Sequence, residues 1–218
     1  MLFKDRIDAG RQLAKLLANY KGQEGVVYGL PRGGVVLAAE IAKALGFSLD
    51  LILAHKIGHP FQPEYAIAAV SESGHLVASS HEVSGIEEEW FKKEKERQMQ
   101  EIRRKRVLYL KGRQEPPVKN KIAIIVDDGI ATGLTLQAGI LELKERHPKK
   151  LIAAVPVSPK HTAELIRSMV DEFVALDTPE DYEFLGAVGA YYRDFSQVED
   201  QEVIDLLTTS RTKKRHRM

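Results

Sequence analysis

Two adjacent acids followed by a glycine-rich loop are the residues in this sequence best suited to chemistry. Asp127 and Asp128 follow the apolar run Ile122–Val126 and precede small residues and threonines that open a predicted helix. Helix N-termini bind phosphate through backbone N–H groups, and carboxylates accept hydrogen bonds from sugar hydroxyls or hold a divalent cation. The pattern predicts a sugar-phosphate site. Its loop comprises Gly129, Ile130, Ala131, Thr132, Gly133, Leu134 and Thr135.

Other phosphate-binding and nucleophile motifs are missing from the sequence. There is no GxxxxGK[ST] segment, the turn GLPRGGVV lacks GxGxxG spacing, and no GxSxG occurs. An alternative to the sugar-phosphate site is a transferase or phosphatase that uses Asp127 or Asp128 with Mg²⁺. It would turn over phosphate esters that contain no ribose.

The elements that position these residues alternate between short apolar runs and helical patterns, which is typical of βαβ units around a mostly parallel sheet. Helices are expected at about 34–45, 132–146 and 159–169. The fold class is therefore α/β, with a three-layer core. Strands are predicted to begin at Gly25, Leu49, Lys121, Leu151 and Glu172.

A long interruption separates the second and third predicted strands. HKIGHPFQPEY is interpreted as a loop, and the following AIAAVSESGHLVAS as a hairpin that turns at Ser73–Gly74. Ile86–Leu110 is predicted to be one solvent-exposed, charged helix without chemistry. An excursion as long as Gly58–Ser80 is usually functional or disordered.

Composition limits the class of protein. The 218 residues carry a formal net charge of +1 and predict a single domain, and the absence of cysteine excludes disulfides and thiolate chemistry. Neither a secretory signal nor an apolar run of membrane-spanning length is recognised, so no membrane partner and a cytoplasmic location are expected. The basicity lies in the tail 208–218, which is predicted to be disordered.

The motif VDDGIATGLT resembles the 5-phosphoribosyl-1-pyrophosphate (PRPP) binding motif of type I phosphoribosyltransferases. The resemblance covers about 25–176, and YGLPRGGVV followed by LILAHKIGHPFQPEYAIAAV is similar to a bacterial branch known only as predicted phosphoribosyltransferases. It implies that Asp127 and Asp128 bind the ribose hydroxyls, while 129–135 hold the 5′-phosphate. The loop Leu30–Gly34 would meet the pyrophosphate, often through a non-proline cis peptide, using Arg32, Gly33 and Gly34.

The same resemblance implies a pentosyltransferase of nucleotide metabolism or salvage. It would displace pyrophosphate from C1 of PRPP with a nitrogenous base, in a Mg²⁺-dependent reaction that has oxocarbenium character. Lys56 would be a second pyrophosphate cation, and Gly58–Ser80 a mobile lid. A homodimer is the family's common state. The residues implied to act in catalysis are Asp127, Asp128, Arg32 and Lys56, with Mg²⁺ bound through PRPP and one of the acids.

Acceptor binding is assigned to a variable hood formed by about 1–24 and 177–207. Tyr191 and Tyr192 are suited to stacking on a base, although packing within the hood is the favoured interpretation. Pro156 and Val157 are an alternative wall. Since six-oxopurine enzymes usually carry an acid where this chain has Ala131, hypoxanthine and guanine are less expected acceptors.

A regulatory protein is the main alternative function. Some relatives on this fold keep the PRPP site, sense PRPP or a nucleotide, and bind nucleic acid. The basic end RTKKRHR would supply a salt-dependent contact, but a solubilising tail is more common, so a nucleic-acid partner is not expected.

Overall fold

A five-stranded, wholly parallel sheet forms the centre of the computed structural model, which describes residues 2–215. The strand order is β2-β1-β6-β7-β8, and β3-β4-β5 form a separate antiparallel sheet. In chain order the strands are β1 (Gly25–Gly29), β2 (Ser48–Leu51), β3 (Ala54–His59), β4 (Gln62–Ser71), β5 (Leu76–Ala78), β6 (Ile122–Val126), β7 (Lys150–Val157) and β8 (Glu172–Asp177).

Helices cover both faces of the central sheet, as the continuous apolar character of its strands predicted. In chain order the helices are α1 (Arg6–Leu16), α2 (Gly33–Leu45), α3 (Ser80–Val83), α4 (Glu88–Leu110), α5 (Leu134–Lys144), α6 (Lys160–Met169) and α7 (Asp200–Arg215). The short α3 packs against the β3–β4 hairpin rather than the central sheet. Short 3-10 turns lie at Ala18–Tyr20, Asp181–Glu183 and Val188–Tyr191.

Alternate residues of the central strands belong to two different cores. Val27, Ile124 and Ile152 pack with α1, α2 and α7, whereas Tyr28 and Ile125 face α5 and α6. This arrangement of two helical layers around one sheet confirms the α/β three-layer fold.

The segment predicted as a loop after β2 instead contains most of β3, the tight turn that follows it and the beginning of β4. β3 pairs with β4, and the register shifts on either side of Gly58. An added Cβ at Gly58 would lie 2.0 Å from the carbonyl oxygen of Pro63, so glycine permits this close approach. Sequence analysis missed these strand residues because HKIGH and QPEY lack the apolar alternation of a half-buried strand. The second turn lies at Ser73–Gly74, as predicted.

The helix α4 is less solvated than its charge suggested. Ile102, Tyr109 and Leu110 are buried in the core on the α2 side, and Trp90 and Phe91 pack against the hairpin. Periodicity failed here because the apolar residues cluster near the two ends of the helix.

Both chain ends contribute to the main core rather than only to a hood. Leu13 and Leu17 are fully buried, and Val203 and Leu207 anchor α7 on the same core. The helix α7 continues to Arg215, and the disorder expected for 208–218 stays a prediction. The rest of the tail, 216–218, lies outside the described residues. Within residues 2–215 no helix is long and apolar enough to span a membrane.

Candidate functional site

Asp127 and Asp128 lie at the carboxyl end of β6, the central strand of the sheet, where open α/β sheets bind ligands. The carboxylate of Asp127 accepts a hydrogen bond of 2.9 Å from the backbone N–H of Asp128. Oδ2 of Asp128 accepts a hydrogen bond of 2.7 Å from Nε of Arg6, and the backbone carbonyl of Asp128 accepts one of 2.6 Å from the hydroxyl of Tyr192. The two acids therefore have different partners.

Electrostatics distinguish the two carboxyls further. Burial raises the pKa of Asp127 well above its usual value, and the neighbouring charge of Asp128 raises it further. Burial also raises the pKa of Asp128, but the guanidinium of Arg6 opposes that rise. Two carboxylates this close favour a ligand that brings hydroxyl donors or a cation.

The loop after the acids has an unusual backbone shape at two of its glycines. Gly129 and Gly133 adopt φ of 141° and 69°, values that L side chains rarely adopt. Gly133 caps α5, and the N–H groups of the first turn of that helix have no intrahelical acceptors. Ala131 and Thr132 are exposed, whereas Thr135 is partly buried. The loop therefore presents open N–H and hydroxyl groups to an anion.

Neighbouring elements hold this loop in place. The hydroxyl of Thr162, in α6, donates to the carbonyl of Ala131 at 2.7 Å, and the N–H of Ile130 donates to the carbonyl of Val157 at 3.0 Å. Sequence analysis missed Thr162, because it lies 31 residues from its partner in an unremarkable amphipathic helix.

The second loop, Leu30–Gly34, lies directly beside the acids. The N–H of Leu30 donates to the carbonyl of Val126 at 2.9 Å. The peptide bond between Pro31 and Arg32 is cis, the feature that the resemblance implied for this loop. An added Cβ at Gly33 would lie 1.8 Å from Oδ2 of Asp128, and one at Gly34 would lie 2.6 Å from the Val126 carbonyl oxygen. The two loops are packed so closely that only glycine fits at these positions.

Two basic residues were predicted to meet an anion here. Arg32 lies in the second loop, with its guanidinium 3.8 Å from the carboxylate of Asp200. Lys56 lies in β3 and forms an ion pair of 2.7 Å with the exposed Glu64 of β4. The structure thus places Arg32 at the predicted loop and engages Lys56 within the hairpin.

The residues predicted to bind an acceptor are packed inside the protein. Tyr191 and Tyr192 are 3% and 6% exposed, which agrees with the packing interpretation, and Pro156 and Val157 are buried at the end of β7. Tyr191 stacks on Phe184 with a centroid distance of 5.5 Å. These side chains therefore belong to the packed core that supports the site.

An open cleft of about 610 Å³ borders the loop that follows the two acids, 129–135. Ala131 and Thr132 form one side of it, and the hairpin, α6 and the segment after β8 form the others. Sequence analysis did not single out five of its polar lining residues, because they come from five separate elements. Those residues are Tyr65, Glu82, Gln137, His161 and Asp181.

The donor set limits what metal the site can hold. Across residues 2–215 no group of three or more His, Asp or Glu side chains is arranged to bind a metal ion. One oxygen of Asp128 is occupied by Arg6. Mg²⁺ commonly binds through one or two carboxylates together with substrate phosphates, and the acid pair fits that mode.

Comparison with known proteins agrees with this geometry. Residues 4–193 match the family model described as "Phosphoribosyl transferase domain". Two curated Mycobacterium tuberculosis proteins named "Putative phosphoribosyl transferase", from different strains, are each 41% identical over 208 residues, which is 94% of this chain and 46% of theirs. The chain therefore spans about half the length of these relatives. The crystal structure of TT1426 from Thermus thermophilus superposes with a TM-score of 0.78 at 38% identity, covering 96% of this chain and 99% of that one.

Proposed function

The chain belongs to the phosphoribosyl transferase domain family, and we propose that it transfers the 5-phosphoribosyl group of PRPP to a nitrogenous base. The observation that carries this proposal is the contact between two loops. Gly33 of one loop lies against the carboxylate of Asp128 in the other, so a pyrophosphate site and a ribose site would be contiguous. PRPP is a molecule in which those two groups are joined.

Each part of PRPP has a chemical complement in this arrangement. The N–H groups and hydroxyls of Ala131–Thr135 bind the 5′-phosphate, and Asp127 and Asp128 accept hydrogen bonds from the ribose hydroxyls. The amides of the second loop and Arg32 bind the pyrophosphate. The ion pair of Lys56 with Glu64 must open if Lys56 is to join them.

Magnesium fits the same proposal as a cation that arrives with the pyrophosphate. Asp127 or Asp128 would hold it from the protein side, since the donor set is too small for a cage made by protein alone. When bound, it neutralises charge on the phosphate oxygens. The chain's own contribution to this task is the positive charge of Arg32 in the second loop.

The reaction forms a bond between C1 of the ribose and a nitrogen of the acceptor, and breaks the bond between C1 and the pyrophosphate oxygen. The electron pair of the broken bond leaves with pyrophosphate, and the acceptor nitrogen loses its proton. Donors that are already in place for the departing charge lower the barrier without reorganisation. The contiguous loops provide such donors.

The acceptor is proposed to enter through the cleft beside Ala131 and Thr132. Phe184 and Tyr65 offer apolar walls, and Glu82 and His161 offer polar groups. With alanine at 131, the loop supplies no acid to a purine N7, so a base other than hypoxanthine or guanine remains the expected acceptor.

Pyrophosphate release from PRPP, measured with a panel of purine, pyrimidine and other nitrogenous acceptors in Mg²⁺, tests the proposal. Acceptor-dependent release by the wild type, lost in Asp127→Asn/Asp128→Asn and retained in Asp205→Asn on the exposed side of α7, is expected. PRPP binding without release for any acceptor would favour the regulatory alternative instead. Failure of the wild type to bind PRPP would overturn the proposal.

A further inference from the structure

Arg6, the first residue of α1, reaches into the acid pair from a part of the chain that sequence analysis assigned to a hood. Its Nε lies 2.7 Å from Oδ2 of Asp128, and its Nη1 donates to the carbonyl of Ser196 at 2.7 Å. The guanidinium carbon lies 3.8 Å from the ring centroid of Phe195. With only 12% of its side chain exposed, Arg6 is held from three directions.

The second loop also packs against the ion pair of Arg6 and Asp128. A Cβ on Gly33 would lie 1.8 Å from Oδ2 of Asp128 and 2.7 Å from Nε of Arg6. The absence of a side chain at Gly33 therefore leaves the space that Arg6 and Asp128 occupy. One charge-assisted hydrogen bond therefore joins α1 to Asp128. It lies next to the second loop and to the C-terminal segment that was assigned to the hood.

This arrangement fixes Asp128 at both its side chain and its backbone. Arg6 holds one carboxylate oxygen, and the hydroxyl of Tyr192 holds the backbone carbonyl. Within residues 2–215, no other side chain donates a hydrogen bond to this carboxylate. Among the residues that the structure describes, the hydrogen-bond donor to the carboxylate of Asp127 is the N–H of Asp128.

From these contacts we infer that Arg6 is a positioning residue for ribose recognition, which holds Asp128 so that its remaining oxygen faces the sugar hydroxyls. The inference rests on the proposed function, because it assigns the ribose of PRPP to the acid pair. It gives the N-terminal helix a role in substrate affinity. Arg6 acts through Asp128 and makes no contact with the reacting atoms.

Two ligands separate positioning from general structural support. PRPP uses the acid pair, whereas inorganic pyrophosphate without Mg²⁺ uses the second loop alone. Loss of a charge-assisted hydrogen bond that orients a ligand group costs about tenfold in affinity or more. Arg6→Gln should therefore weaken PRPP binding by about tenfold and change pyrophosphate binding by less than about twofold.

Matched variants make the comparison decisive. Arg6→Lys keeps the charge and should restore part of the PRPP affinity. Arg11→Gln removes an exposed arginine from the same helix, where it pairs with Glu40, and should leave both affinities unchanged. In a double-mutant cycle, Arg6→Gln should add little to the loss caused by Asp128→Asn.

Calorimetric titration of the full chain with each ligand, alongside thermal unfolding, is the experiment. Equal weakening of both ligands by Arg6→Gln, or unchanged PRPP binding in Arg6→Gln and Arg6→Lys, would overturn the inference while leaving the proposed function intact. If Arg6→Gln does not fold, Arg6→Lys carries the test through its ratio of PRPP to pyrophosphate affinity. A wild type that does not bind PRPP would refute both.

Discussion

The guanidinium of Arg32 lies 3.8 Å from the carboxylate of Asp200, the first residue of α7. The same carboxylate accepts the hydroxyl of Tyr109 from α4 at 2.5 Å. A C-terminal helix thus places a negative charge next to the arginine that is proposed to bind pyrophosphate. An anionic ligand must compete with that charge.

Asp200→Asn should strengthen the binding of pyrophosphate with Mg²⁺ by roughly two- to fivefold, since a partly exposed ion pair is worth up to about 1 kcal/mol. Asparagine keeps an acceptor for Tyr109, so stability should change little. Asp205→Asn is the control, because it removes the same charge from the same helix. Calorimetry at low and high salt checks the prediction. An equal gain in pyrophosphate affinity in both variants would show that long-range electrostatics, and not the contact between Arg32 and Asp200, causes the effect.

The two acids should respond to amide substitution with opposite changes in stability. Because burial and Asp128 raise the pKa of Asp127, its ionised form opposes folding at neutral pH. Asp127→Asn should therefore raise the free energy of unfolding by about 1 kcal/mol while impairing PRPP binding. Asp128→Asn should lower it by about 1 to 3 kcal/mol, because Arg6 then lacks its charged partner.

The pH dependence of this effect has a definite sign. A carboxyl whose pKa is raised on folding destabilises the protein above its unfolded pKa, and the penalty disappears as the pH falls below that value. The advantage of Asp127→Asn over the wild type should therefore shrink as the pH is lowered. Chemical denaturation of both proteins between about pH 4 and 8 measures it, and an advantage that grew toward acid would contradict the assignment.

Gly33→Ala should disrupt the junction of the two loops. Its methyl group would lie 1.8 Å from the Asp128 carboxylate, so the carboxylate or the loop must move. We expect a loss of about 1 to 3 kcal/mol in stability and a larger fractional loss of PRPP binding. Gly85→Ala, where an added Cβ meets nothing within 4 Å, is the control and should behave as wild type. PRPP binding that survives Gly33→Ala unchanged would show that the contact is not needed.

Thr162→Val tests the support of the phosphate loop. The change removes the hydroxyl that donates to the Ala131 carbonyl and keeps the methyl group that packs beside Gly133. Binding of ribose 5-phosphate should weaken by about three- to tenfold, while pyrophosphate binding stays the same. Ser168→Ala, which removes an exposed hydroxyl from the same helix, should change neither affinity. Parallel weakening of both ligands would point to a general loss of structure.

The parts of the fold that sequence predicted are those with local signals. The continuous apolar runs before Asp127 and after Gly25 marked buried parallel strands, and the glycines after Asp128 marked a loop that opens a helix. The hairpin at β3 and β4 was missed, because its polar residues show no period of two.

The residues that sequence missed act across long separations. Arg6 and Asp128 are 122 positions apart, and Thr162 reaches a carbonyl 31 positions away. A lone arginine at the start of an amphipathic helix resembles any other surface arginine until the fold places it beside an acid. Such contacts depend on packing, which a pattern in a single chain does not encode.

The central claim is that the acid pair and the two loops form one PRPP site. Calorimetric titration of the wild type and of Asp127→Asn/Asp128→Asn with PRPP in Mg²⁺ tests it most directly. The claim predicts stoichiometric binding by the wild type and its loss in a folded double variant that still binds pyrophosphate without Mg²⁺. A folded wild type that does not bind PRPP, or a double variant that binds it equally well, would contradict it.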